Sequence, residues 1–157
     1  MTESELVTAN DGEIHPEAAV APGYLANHAA KAFNRTVDAE LRPLGITLAL
    51  VGPVMLLSWR GPMLQRDIVR HSAVKQPAMV ALLDKLEAQG LITRARVPGD
   101  GRAFMVHLTP EGQILAERSR DVLLTVNSAG MRGFTPADAT LLVTLLQRFI
   151  KNIEPES

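Results

Sequence analysis

MLQRDIVRHSAVKQPAMVALLDKLEAQGLITRARVPGDGRAFMVHL, residues Met63–Leu108, decides how this chain folds. The run Leu64–His71 has the length of a short helix, and a brief turn leads to a second helix over Lys75–Gln89. Met79, Leu82, Leu83 and Leu86 recur at three- and four-residue steps and give that helix one apolar face. Gln76, Pro77, Val80, Ala81 and Asp84 lie on its other side. Pro77 falls in the first turn, where a missing N–H costs little. Gly90 stops the helix, because the residue just past a helix end often takes the left-handed conformation that Gly adopts freely.

Two strand-like runs follow, Leu91–Val97 and Arg102–Leu108, around the turn Pro98-Gly99-Asp100-Gly101. Phe104, Val106 and Leu108 alternate with Ala103, Met105 and His107, as in a half-buried strand. Arg94 and Arg96 share one face of the first strand, and Arg102 leaves the tip. Asp100, two residues earlier, is spaced to hold the Arg102 guanidinium across the turn. Helix, turn, helix and hairpin in this order make a winged helix-turn-helix, whose second helix can enter a DNA major groove.

Working outward, Gly23–Leu41 reads as a helix with Leu25, Ala29, Ala32, Phe33, Thr36, Val37 and Leu41 on one stripe, ended by Pro43. Thr47 is a candidate cap for a helix running to about Trp59, which Pro53 should kink or divide. Gly61-Pro62 breaks the chain before the winged stretch. On the other side, Thr109-Pro110-Glu111 combines a capping hydroxyl, a proline at the first helical position and an acid at the positive helix end. That helix should reach about Ala129, and Gly130 and Gly133 punctuate the next turn. Thr135-Pro136-Ala137-Asp138 opens a last helix in the same way. Its residues Leu142, Leu145, Leu146, Phe149, Ile150 and Ile153 form a continuous apolar stripe. Since residues 60–107 can form their own small core, the first and last helices are expected to pair between two chains.

The 157 residues fit one domain, or one lobe with a dimerisation element, and 46% are hydrophobic but only 4% aromatic, so the core is aliphatic. Without cysteine there is no disulfide, thiolate metal site or thiol redox sensor. The opening residues lack the basic start and apolar run of a secretory signal. The longest apolar run, Leu48–Leu57, is about ten residues where a membrane span needs roughly 20, so no membrane association and a cytoplasmic location are expected. Net charge is −1, but it is unevenly spread. Residues 1–20 hold five acids and no Lys or Arg, whereas residues 60–107 hold eight bases against four acids. A local basic footprint is what contact with a phosphate backbone needs. An ordinary solvated surface would carry the same charges.

Catalysis finds no support. There is no nucleophile elbow, phosphate-cradling glycine loop or paired acids, and no catalytic residue or cofactor is expected. The four histidines, at positions 15, 28, 71 and 107, form no close ligand pair, so no metal site is assigned. A metal-responsive regulator, with histidines converging only in three dimensions, stays open as a lesser alternative.

KQPAMVALLDKLEAQGLITR followed by PGDGRAFMVHLTPEG resembles the MarR family of transcriptional regulators, with weaker similarity over roughly residues 22–153. The resemblance implies a mainly α fold with a small β-hairpin wing, in which N- and C-terminal helices make a dimerisation region. Residues 1–21 would be a flexible acidic tail and 22–157 the MarR-like domain. Within it, 60–108 would be the DNA-binding lobe, and 22–45 and 110–153 the dimerisation helices. The implied function is that of a sequence-specific regulator of double-stranded DNA, commonly a repressor, acting on a pseudo-palindromic operator. Its DNA-binding residues would be Gln65, Arg66, Lys75, Gln76, Pro77, Val80, Ala81, Arg94, Arg96, Asp100 and Arg102. The chain departs from the family where Ala78, Val80 and Ala81 replace the usual hydroxyls and Arg. It departs again where Leu64 replaces a capping Thr, and where Gly101 replaces an Arg.

The family commonly senses small molecules, often aromatic anions, between the dimer helices and the reading lobe. The candidate lining here is Tyr24, His28, Lys31, Arg35, Met55 and Trp59, and the helical spacing of His28, Lys31 and Arg35 could present cations to an anion. The plainer reading of these six is a solvated face beside packed aromatics. A protein-docking winged helix without specific DNA binding is the main functional alternative, which the apolar Val80 and Ala81 would fit. Those two residues can equally meet thymine methyls.

Overall fold

The structure, a computed structural model, describes residues 16–154. In chain order they form α1 (Pro16–Ala19), α2 (Pro22–Leu41), a 3-10 turn (Arg42–Leu44), α3 (Leu48–Arg60), β1 (Met63–Leu64), α4 (Gln65–Arg70), α5 (Gln76–Ala88), β2 (Ile92–Val97), β3 (Asp100–Leu108), α6 (Pro110–Gly130) and α7 (Pro136–Ile153). The acidic tail expected over residues 1–21 lies outside the described residues as far as His15, and its remainder includes the single turn α1.

The helix ends follow local chemistry. Thr109 Oγ1 accepts from the Gly112 N–H at the start of α6. At α7, the Thr135 side chain accepts from Asp138 N–H and the Asp138 carboxylate accepts from Thr135 N–H, a reciprocal capping box. That contact holds the Asp138 carboxyl below its usual range. At the end of α5, Leu91 N–H donates to Leu86 O and Gly90 N–H to Glu87 O. With Gly90 at φ 72°, this is a Schellman motif.

α3 departs from expectation in two ways. Thr47 makes no side-chain cap. The Leu48 N–H at the head of α3 instead donates to Asp38 Oδ1 of α2 at 2.7 Å, so the cap comes from another helix and brings a negative charge to the positive helix end. Nor does Pro53 divide α3, which runs unbroken from Leu48 to Arg60. Its missing bond falls near the helix start, where surrounding burial of Leu50, Val51, Val54 and Met55 outweighs it.

The sheet has three antiparallel strands in the order β1-β3-β2, so the hairpin gains a third strand that the sequence reading did not contain. Met63 pairs with Val106 and Leu64 with Met105. In the hairpin, Ile92 faces Leu108 and the register holds to Arg96 opposite Phe104, then shifts so that Val97 faces Asp100. The turn is therefore Pro98-Gly99 alone, with Gly99 at φ 84°. Pro followed by a left-handed Gly suits a type II turn, whose twist mismatches a hairpin. The extra residues Gly101, Arg102 and Ala103 on β3 absorb that mismatch as a bulge.

A single aliphatic core joins α2, α3, α4, α5, the sheet and α6. α6 starts against the lobe at close range: a Cβ on Gly112 would overlap the Leu91 carbonyl oxygen. α7 differs from every other long helix in having no buried residue. Leu141, Val143, Leu145, Leu146, Ile150 and Ile153 are exposed along it, as are Leu25 on α2 and Leu124 on α6. Among the described residues no single helix is long and apolar enough to cross a membrane.

Candidate nucleic-acid interface

α5 buries Met79, Leu83 and Leu86 completely and half-buries Leu82, which sets its opposite side outward. Gln76, Pro77 and Ala81 are exposed there and Val80 is half-buried. Lys75 is its N-cap residue and is exposed. α4 crosses the head of α5 and shows Arg66 to solvent, with Gln65 half-buried beneath it. Leu64 precedes α4 without any capping side chain, the consequence of having no hydroxyl there. A crevice of about 130 Å³ runs between α4, the head of α5 and the wing, and Gln65, Arg66, Gln76, Asp100, Arg102 and Phe104 are among the residues lining it. Residues from three separate stretches thus share one side of the lobe.

The arginines of the wing divide into three kinds. Arg94 is engaged by the protein. Its Nη2 donates to Asp84 Oδ1 at 2.5 Å and to Glu87 Oε1 at 3.1 Å, its Nε to Glu87 Oε2 at 3.3 Å, and its Nη1 to Gln65 Oε1 at 3.5 Å. Its side chain is only 16% exposed. The Arg94 guanidinium beside Glu87 holds that carboxyl below its usual range, and the Glu87 hydrogen bond in turn raises Arg94. Arg94 was expected at the DNA; the structure makes it a clamp that ties β2 to α5 and to the first residue of α4. Arg96 lies along the wing, where its Nη1 donates to Gly101 O at 2.8 Å and its guanidinium carbon sits 5.4 Å from the Phe104 ring centre. It remains solvent-exposed.

Arg102 is exposed at the bulge. Asp100 does not hold its guanidinium, contrary to expectation. Asp100 Oδ1 accepts instead from the Arg102 backbone N–H at 3.1 Å, which fixes the path of the bulge and leaves the Arg102 side chain without a carboxylate partner among the described residues. A carboxylate two residues ahead is as well placed for the amide as for the side chain, and the amide is nearer and already ordered.

The candidate effector residues are only partly brought together. Tyr24, His28, Lys31 and Arg35 form one exposed stripe on α2, and the Tyr24 and His28 rings stack at 6.1 Å between centroids. That stripe is opposite the face carrying Val37 and Leu41 into the core. Met55 does not join it: it is 3% exposed inside the core of α3. α3 is apolar nearly all round, so its sequence carries no signal of which side is covered. Trp59, by contrast, is 69% exposed at the end of α3. Beside it, Arg60 Nη1 and His71 Nε2 meet at 3.1 Å, joining the ends of α3 and α4. Among the described residues no group of three or more His, Asp or Glu side chains converges as a metal site.

Comparison with known proteins matches this geometry. A sequence profile described as MarR family matches residues 55–103. The HTH-type transcriptional repressor Rv2887 of Mycobacterium tuberculosis is 33% identical over 101 residues, covering 64% of this chain and 73% of that protein. The structure of the MarR family protein Rv2887 in complex with salicylic acid superposes with a TM-score of 0.66 at 27% identity, over 82% of this chain and 96% of the other. A mutant MarR from Escherichia coli, complexed with operator DNA, is similar at a TM-score of 0.74 and 22% identity, over 81% of this chain and 91% of the other, which speaks to the fold.

Proposed function

This chain belongs to the MarR family of winged helix-turn-helix regulators, and from that premise we propose that it is a transcriptional repressor whose homodimer binds a pseudo-palindromic operator and lets go when a small aromatic anion binds. The observation that carries the reading is the common outward side of α4, α5 and the wing. There Arg66, Lys75, Gln76 and Arg102 are exposed around an apolar reading helix. Arg102 enters a minor groove, Lys75 and Arg66 meet phosphates, and α5 lies in the major groove between them. The exposed stripe of α7, with the exposed Leu25 and Leu124, supports dimerisation. Two lobes on a two-fold axis then need half-sites about one helical turn, ~10 bp, apart.

Salicylic acid in Rv2887 supports an aromatic carboxylate as effector. On this chain the Tyr24, His28, Lys31 and Arg35 stripe offers an aromatic pair and cations for such a ligand. Because it faces away from its own core, its second wall comes from the partner protomer. An effector shifts the dimer only through differential affinity for the DNA-competent and released states, typically about 1–3 kcal/mol of coupling.

The test is retardation of a fragment from the protein's own promoter, competed with unrelated DNA, with and without salicylate. Specific retardation that salicylate weakens supports the reading, and Arg35→Ala should blunt the release while sparing ligand-free binding. Equal binding to unrelated DNA would favour a docking module. A monomer at micromolar concentration by ultracentrifugation would sink the dimer.

A further inference from the structure

The outward side of α5 is short of hydrogen-bonding groups where it would meet bases. Gln76, Pro77, Ala78 and Ala81 are exposed over its first turns and Val80 is half-buried; among these five only Gln76 has a polar side chain. Guanine is read in the major groove by Arg or Lys reaching O6 and N7. The arginine that flanks α5, Arg94, has its donors turned to Asp84, Glu87 and Gln65. Lys75 precedes the helix as its N-cap residue, where a point charge suits phosphate. Lys85 stands more than two turns beyond the end of the helix that enters a groove.

In the major groove the apolar feature of a base edge is the thymine C5-methyl group. We propose that the operator half-sites are read through thymine methyl groups packed against Ala78, Val80 and Ala81, with Gln76 placed on an adenine, so that the DNA facing α5 is A·T-rich. The wing asks for the same DNA. An arginine with no carboxylate partner among the described residues, Arg102, is drawn most strongly into the narrow minor groove of A·T tracts. One sequence class therefore satisfies both elements, whereas a G·C core would leave its O6 and N4 groups facing methyls. The inference rests on the reading of the chain as a sequence-specific DNA binder.

The experiment selects duplexes from a random-sequence pool with the full-length protein, then resynthesises the winners with deoxyuridine in place of thymidine at each half-site position. Uracil keeps the base pair and lacks only the methyl group. A·T-rich half-sites are expected, with binding weakened about fourfold for each contacted thymine, the transfer of one methyl-sized group from water. Val80→Ala should shrink that penalty and leave the salt dependence of binding unchanged, since no charge is lost. Because the uracil exchange touches only the DNA, misfolding of a variant cannot imitate it. Half-sites with G·C pairs facing α5, or indifference to uracil in every position, would overturn the methyl reading while leaving specific binding intact. Failure to enrich any sequence would overturn both.

Discussion

Ile68, Met79, Leu83, Leu86, Ile92 and Val106 are at most 1% exposed, and all come from the winged stretch of one chain. Leu141, Val143, Leu145, Leu146, Ile150 and Ile153 of α7 are 42–66% exposed. Both sets are aliphatic, and Leu146, Ile150 and Ile153 recur at the same three- and four-residue steps as Met79, Leu83 and Leu86. The lobe shares one core with α2, α3 and α6 of its own chain, whereas α7 has no fully buried residue there. The contrast teaches that amphipathicity reports how much surface a helix must bury and not whose surface will bury it.

Breaking the α7 side should have the largest effect. Leu146→Glu with Ile150→Glu removes four apolar side chains from a two-fold interface, each 42–47% exposed in the single chain, so each contributes about half of the 1.5–3 kcal/mol of full burial. Association should weaken by ~3–6 kcal/mol, a hundredfold or more, by sedimentation equilibrium. DNA affinity should fall with it, while the lobe keeps its circular dichroism. An unchanged dimer would place the interface elsewhere. Met79→Ala tests the other side. It should cost about 2–5 kcal/mol of stability in urea denaturation, with the dimer constant of the folded protein unmoved. A loss of dimer instead would mean that the two regions share one core.

The joint between them should respond less. Gly112→Ala drives a methyl group into the Leu91 carbonyl oxygen, so backbone must shift. A loss of about 1–3 kcal/mol is expected in thermal unfolding, the usual range for overpacking. A melting temperature equal to wild type would show that the joint gives freely.

The smallest effect is at Glu87, whose side chain is 42% exposed. Glu87→Gln should cost about 0–1 kcal/mol at neutral pH, as exposed ion pairs do. Arg94 holds the Glu87 carboxyl below its ordinary 4.5, so the stabilisation is complete above 4.5 and is lost as pH falls through the lowered value. The variant should therefore lose stability less steeply in acid than wild type, and parallel curves would reject the pair. DNA binding gives a second sign test. Charge alone predicts that Glu87→Gln binds DNA more tightly, while a clamp that sets the pitch of α5 predicts weaker binding.

What the sequence made legible was punctuation and period. Thr109-Pro110, Thr135-Pro136 and Gly90 mark helix ends because their chemistry acts within a turn, and the Met79–Leu86 face follows from spacing alone. What it hid was long-range. The Asp38 cap spans ten residues between helices. The Gln65 contact of Arg94 spans 29, so an arginine in a basic wing looked like a phosphate ligand. β1 is two residues long, too short for any alternation to register. Within the candidate site, the reading face of α5 was visible because burial of one side exposes the other. Met55 was misplaced because α3 is apolar nearly all round.

The seat of Gly112 has a mechanical meaning. Thr109 Oγ1 donates to Gly90 O at 2.6 Å, Thr109 N–H to Leu91 O at 3.1 Å, and Gly112 rests against that same carbonyl. The root of α6 is therefore welded to the loop joining α5 and β2, without slack. α6 is 21 residues, a rod of about 30 Å. Turning such a rod by about 6° at its root swings the far end by roughly 3 Å. Conversely, a displacement of roughly 3 Å at the far end of α6 becomes a turn of about 6° at its root in the lobe. The lobe is the short arm of a lever whose long arm lies among the helices.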